Sequence, residues 1–190
     1  MPINWSPGIN DPTLVGWLTV ALYCIAAWSS WRIYFQCERI FIIHIHQQKR
    51  FWLGVSCSMV LLALNKQLDL QTLLTKTGRL LAREQGWYRD RDSVQILFLI
   101  FLAASCVSLL AYLFYYFRRI LITNFAALAG LTLLIFFIMA RAVSFHYADT
   151  LFRSQLLGLK LYQFIEIAGI FCVWLNAYAL MYLSKRIKTS

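Results

Sequence analysis

Six ionisable residues stand where long apolar runs end: Lys66, Arg141, His146, Asp149, Arg153 and Glu166. On a continuing helix, His146, Asp149 and Arg153 fall at i, i+3 and i+7 and share a face. An aspartate beside a histidine can fix the tautomer and orientation of the ring, which general acid–base chemistry requires. Glu166 lies about five residues into an apolar run and is a second acid–base candidate. Ionisable groups at membrane depth are costly and normally have a partner, and they default to functional-site hypotheses. Arg141 and Lys66 are the candidate partners for Glu166, and both suit an anionic ligand group.

Asn65, Asp69 and Thr72 fall at i, i+4 and i+7, again on one helical face. Lys66 and Asp69 are three apart and partly neutralise each other, although lysine before aspartate is the weaker order. The candidate set is therefore His146, Asp149 and Glu166 for catalysis, and Asn65, Lys66, Asp69, Arg141 and Arg153 for ligand binding. The same residues also have a structural reading. Arg141 and Lys66 can snorkel to the interface, His146 and Asp149 can be solvated loop residues, and Glu166 can hold helices together through an ion pair.

The other chemical signals are weak. His44 and His46 are two apart, so on a helix they point to nearly opposite faces and share no metal; in an extended segment they could. No metal site is expected, and no cofactor is implied. Phosphate loops, GxSxG, HExxH and paired Cys/His zinc signatures are missing from the sequence. Cys24, Cys37, Cys57, Cys106 and Cys172 are scattered singly, which suits small apolar packing residues rather than a disulfide framework. Ser56 and Ser58 are expected to bond within or between helices.

The elements that must position these groups are read from hydropathy. Of the 190 residues, 61% are hydrophobic, against about 45–50% in ordinary soluble domains. A soluble core of this size cannot hide that excess, so lipid is expected to solvate much of the surface. The fold class is all-α: a polytopic integral membrane protein, one transmembrane domain over residues 1–190. Five spans are expected, at about 13–35, 51–70, 94–117, 120–141 and 161–183, with Asp11-Pro12 opening the first as cap and first helical residue. Two interfacial segments join them: residues 36–50, with an apolar 40–45 run, and residues 70–91, an amphipathic stretch. Only 14 residues, 51–64, precede the polar end of the second span. A crossing helix needs about 20 residues, so Asn65 and Lys66 are expected to lie below the membrane surface. Arg118-Arg119 forms a tight turn between the third and fourth spans, making them antiparallel neighbours. No cleavable signal peptide is expected, because the first apolar run has no basic region before it.

The net charge of +10 does not indicate nucleic acid, because the basic residues flank apolar runs instead of forming a stripe. Grouped by side, the connections carry nine Lys and Arg each. The side bearing Arg39, Lys49, Arg50, Arg118, Arg119 and the C-terminal basics concentrates them in far fewer residues, and the N-terminal tail has none. That asymmetry predicts an N-terminus outside and a C-terminus in the cytoplasm of a cell (inner) membrane.

Two functions are consistent with this reading. One is a pocket near the extracytoplasmic face that binds or transforms a lipid or small polar-headed molecule. The other is a non-catalytic assembly subunit, with a membrane protein or a second copy as partner. Five spans without internal symmetry make a poor alternating-access transporter.

Overall fold

The computed structural model describes residues 13–68, 91–143, 155–156 and 159–189. Five helices dominate: α1 (Leu14–Ile40), α2 (Ile45–Leu68), α3 (Arg91–Phe117), α4 (Phe125–Val143) and α5 (Leu161–Thr189). A short antiparallel ladder, β1 (Gln155–Leu156) and β2 (Leu159–Lys160), pairs Gln155 with Lys160 just before α5. Among the described residues, four stretches are long and apolar enough to cross a membrane: Leu14–Ile40, Ile45–Leu68, Ile100–Ile120 and Gln163–Ser184. The apolar stretch of α4, Phe125–Ile138, is shorter.

α1 starts at Leu14, two residues later than Asp11-Pro12 suggests. Thr13, in an extended conformation, is the cap, and its Oγ1 accepts from the Gly16 N–H at 3.1 Å. That satisfies one of the donors a helix leaves open at its start. Inside the apolar helices, hydroxyls are satisfied by the carbonyl one turn back. Thr19 bonds Val15 at 2.8 Å, Ser30 bonds Ala26 at 2.8 Å and Thr132 bonds Leu128 at 2.9 Å. Ser56 instead reaches across to the Ala27 carbonyl at 3.0 Å and ties α2 to α1.

Most of the segment expected at the interface, residues 36–50, is helical. α1 continues through Ile40 and α2 begins at Ile45, leaving residues 41–44 as a tight turn. His44 closes that turn with φ of 58°, a left-handed conformation uncommon in residues other than glycine. The apolar 40–45 run thus serves a helical hairpin, and Ile42 and Ile43 stay exposed at its tip. The interfacial segment expected at residues 70–91 lies, except for Arg91 at the start of α3, outside the described residues.

α1 occupies the centre, with α2 on one side and α5 on the other, and α4 packs on the far side of α5. The core runs through Tyr23, Ile33, Trp52, Met59, Leu134, Ile170 and Val173, all almost fully buried. Gly130 on α4 and Gly169 on α5 let those two helices meet backbone to backbone. A Cβ on Gly130 would stand 2.5 Å from the Gly169 carbonyl oxygen. Neither glycine belongs to a GxxxG pair on its own helix; the close approach is made between helices.

α4 opens at Phe125, five residues after the apolar run begins, because residues 118–124 are used by a 3₁₀ turn and its exit. The connection is accordingly longer than an Arg118-Arg119 turn. Among the described side chains of α3, Phe117 is buried and Leu113 and Tyr116 pack against the core, while Leu102, Cys106 and Leu110 are half-buried. Leu97, Ile100, Phe101, Val107, Leu109 and Tyr115 on the same helix are exposed.

Candidate functional site

α1 and α5 begin at the same end of the bundle, where α2 finishes, and three side chains converge there. Glu166, on the second turn of α5, is 2% exposed, and Lys66, two residues before Leu68, is 8% exposed. The Lys66 ammonium donates to Glu166 Oε2 at 2.8 Å. Tyr23 on α1 donates its hydroxyl proton to Glu166 Oε1 at 3.2 Å. Each carboxylate oxygen therefore has a donor, and the three donor and acceptor groups come from three different helices.

The physical cause is the arrangement of the helices. Lys66 ends an apolar helix whose preceding turns, with Trp52, Val55 and Met59, are buried in the bundle. Its chain is thereby held inside the bundle rather than at the surface. An unpaired ion in such surroundings is strongly disfavoured, whereas a paired and hydrogen-bonded one is tolerated. Lys66, one of the two cations expected as candidates for Glu166, is in contact with it. Arg141 belongs to α4, but its side chain lies outside the described set. Asn65 is half-buried on α2. Asp69, His146, Asp149 and Arg153 fall outside the described residues. Gln67, next to Lys66, has both amide atoms buried without a hydrogen-bond partner.

Sequence reasoning missed Tyr23. A tyrosine ten residues into an apolar helix is easily read as core packing, and only its 3.2 Å contact with Glu166 assigns its hydroxyl. It also missed a second polar cluster, at the opposite end of the bundle. Asn124 Nδ2 donates to Gln48 Oε1 at 2.8 Å and to the Ile120 carbonyl at 3.0 Å, with both side chains buried. Asn176 of α5 accepts from the Ala127 N–H at 3.0 Å and donates to the Thr123 carbonyl at 3.2 Å. A side chain from a neighbouring helix thus caps the start of α4. The available signal was an asparagine within an otherwise apolar span, since such a residue needs a partner.

That opposite end carries most of the described surface cations. Lys49 pairs with Glu38 at 2.6 Å, and Arg50 donates to the Tyr116 hydroxyl at 2.6 Å. The Arg118 guanidinium lies over the Tyr115 ring, and that of Arg186 lies over Tyr182. These exposed contacts orient side chains more than they stabilise the fold. His44, His46, Glu38 and Lys49 line a shallow open depression there. No group of three or more metal-ligating side chains occurs among the described residues.

Comparison of the chain with family models, with curated proteins and with solved structures finds no match.

Proposed function

We propose that this is a five-span protein of the cell (inner) membrane, N-terminus outside and C-terminus cytoplasmic. A polar centre near its extracytoplasmic face binds or transforms a lipid or small polar-headed molecule. The observation that carries the reading is the Lys66–Glu166 pair, with side chains 5% and 3% exposed. Two charges inside an apolar bundle are expensive. Packing alone does not call for them, because apolar residues of the same size would fill that space at least as well. Their place, near the helix ends, is the depth at which a lipid headgroup or a polar solute meets the protein. His146, Asp149, Arg141, Asp69 and Arg153 would complete the centre, with His146 as proton carrier and Asp149 as its orienting carboxylate.

The apolar double variant Lys66→Met/Glu166→Leu tests this. A purely structural pair tolerates the replacement in both folding and function. A ligand site keeps its fold but loses the bound molecule, seen by mass spectrometry of the purified protein. Retention of both would sink the proposal.

A second reading has its own observation. Very little of the apolar stretch Ile100–Ile120, most of it in α3, is buried, and the aromatic C-terminal turns of α3 include the exposed Tyr112 and Tyr115. Such a helix suits a non-catalytic assembly subunit whose partner is a membrane protein or a second copy. A stoichiometric partner in mild detergent, with no bound small molecule, would favour it.

A further inference from the structure

The charge balance of the Lys66–Glu166 centre restricts what can bind there. Together the two side chains have no net charge, and each is almost wholly removed from water. A ligand has to enter between them or displace one from the other. A monoanion would satisfy Lys66 and leave Glu166 with only the Tyr23 hydroxyl, and a monocation would do the reverse. Either outcome strands a buried charge, which is among the costliest states a protein can hold. A neutral molecule offers neither charge a counterion. A zwitterion exchanges one ion pair for two.

We infer that the ligand carries a primary ammonium together with a phosphate or carboxylate. The ammonium meets Glu166 and the anionic group meets Lys66. This inference rests on reading the centre as a ligand site. The primary amine is specified by hydrogen bonding: Glu166 Oε2 now accepts from an ammonium at 2.8 Å, and a quaternary ammonium has no N–H to replace that bond. The anion is specified by Lys66, whose ammonium is a compact donor suited to phosphate or carboxylate oxygens. Gln67, one residue along α2 from Lys66, has its amide oxygen and nitrogen buried and unpartnered, a state that buried polar atoms normally avoid. Depth agrees as well. Glu166 is five residues past Leu161, the first residue of α5, or about 7–8 Å at the helical rise. That is close to the thickness of one headgroup layer.

The test uses the full chain in nanodiscs of equal phosphatidylethanolamine, phosphatidylcholine and phosphatidylglycerol, extracted into mild detergent for native mass spectrometry. Phosphatidylethanolamine is expected to be retained over the other two by about tenfold, equivalent to about 1.4 kcal/mol. In Glu166→Gln, which leaves Lys66 as an unpaired cation, the preference is expected to pass to phosphatidylglycerol. Should that variant fail to fold, the ranking in the unaltered protein still decides. A parallel arm adds free phosphoethanolamine or glycine to the lipid-stripped protein. Saturable binding of either, with no lipid retained, assigns the same chemistry to a soluble source. Equal retention of phosphatidylcholine overturns the primary-amine requirement. Preference for phosphatidylglycerol in the unaltered protein, abolished by Lys66→Met, overturns the zwitterion while leaving a ligand site. If no lipid or solute is retained, the ligand-site reading itself falls.

Discussion

Gly130 and Gly169 touch through their backbones: each Cα faces the carbonyl of the other, and a methyl group at Gly130 would lie 2.5 Å from the Gly169 oxygen and 2.9 Å from Val173 Cγ2. No rotamer change relieves a collision with a carbonyl, so α4 and α5 would have to separate. Gly130→Ala is therefore expected to destabilise by about 1–3 kcal/mol, as overpacking does. At Gly169 a methyl group would lie 2.8 Å from Cγ of the buried Leu134 and 3.2 Å from the Gly130 carbonyl oxygen, so Gly169→Ala should destabilise as well. Gly54 has nothing within 4 Å, and Gly54→Ala should gain about 0.5–1 kcal/mol from helix propensity. Thermal unfolding in one detergent would rank the three. Equal losses at Gly130 and Gly54 would contradict the close crossing.

The buried ion pair predicts strong coupling. Lys66→Met leaves Glu166 without its cation, and Glu166→Gln leaves Lys66 without its anion. Each single change is expected to cost about 3–5 kcal/mol, and the double change far less than the sum. Unfolding of the two single variants and the double variant measures the coupling. Additive losses would mean that the two side chains do not depend on each other. Tyr23→Phe removes one hydrogen bond to the carboxylate and should cost about 1.5–3 kcal/mol.

Asn176→Leu should loosen the start of α4. It removes the acceptor for the Ala127 N–H and the donor to the Thr123 carbonyl. Loss of a helix cap costs about 0.5–2 kcal/mol. Hydrogen exchange at residues 125–128 should rise while exchange in the middle of α1 stays slow. Unchanged exchange at Ala127 would rule out the cap.

The two ends of the bundle should lie on opposite sides of the membrane. Reporters fused after Ser190 and inserted at residues 75–86 are expected to give cytoplasmic and extracytoplasmic signals respectively. The reverse pattern would move the Lys66–Glu166 centre to the cytoplasmic side and overturn the proposed orientation.

Apolar run length and composition already specified a helical chain with several segments long and apolar enough to cross a membrane, because a bilayer leaves a long apolar run few alternatives to helix. The sequence also marked Glu166 as needing a partner and offered Lys66 or Arg141, since an ion at that depth cannot stay alone. Which cation it takes depends on how α2, α1 and α5 pack, and periodicity within one helix carries no information about that. The hydroxyl of Tyr23, the Gln48–Asn124 bond and the Gly130–Gly169 crossing were hidden for the same reason: each joins residues far apart in the chain. Even the helix limits moved where a tertiary contact was involved. α4 starts at Phe125, after a 3₁₀ turn, because Asn176 of another helix is there to satisfy its first turn, whereas hydropathy registers only where the apolar run begins.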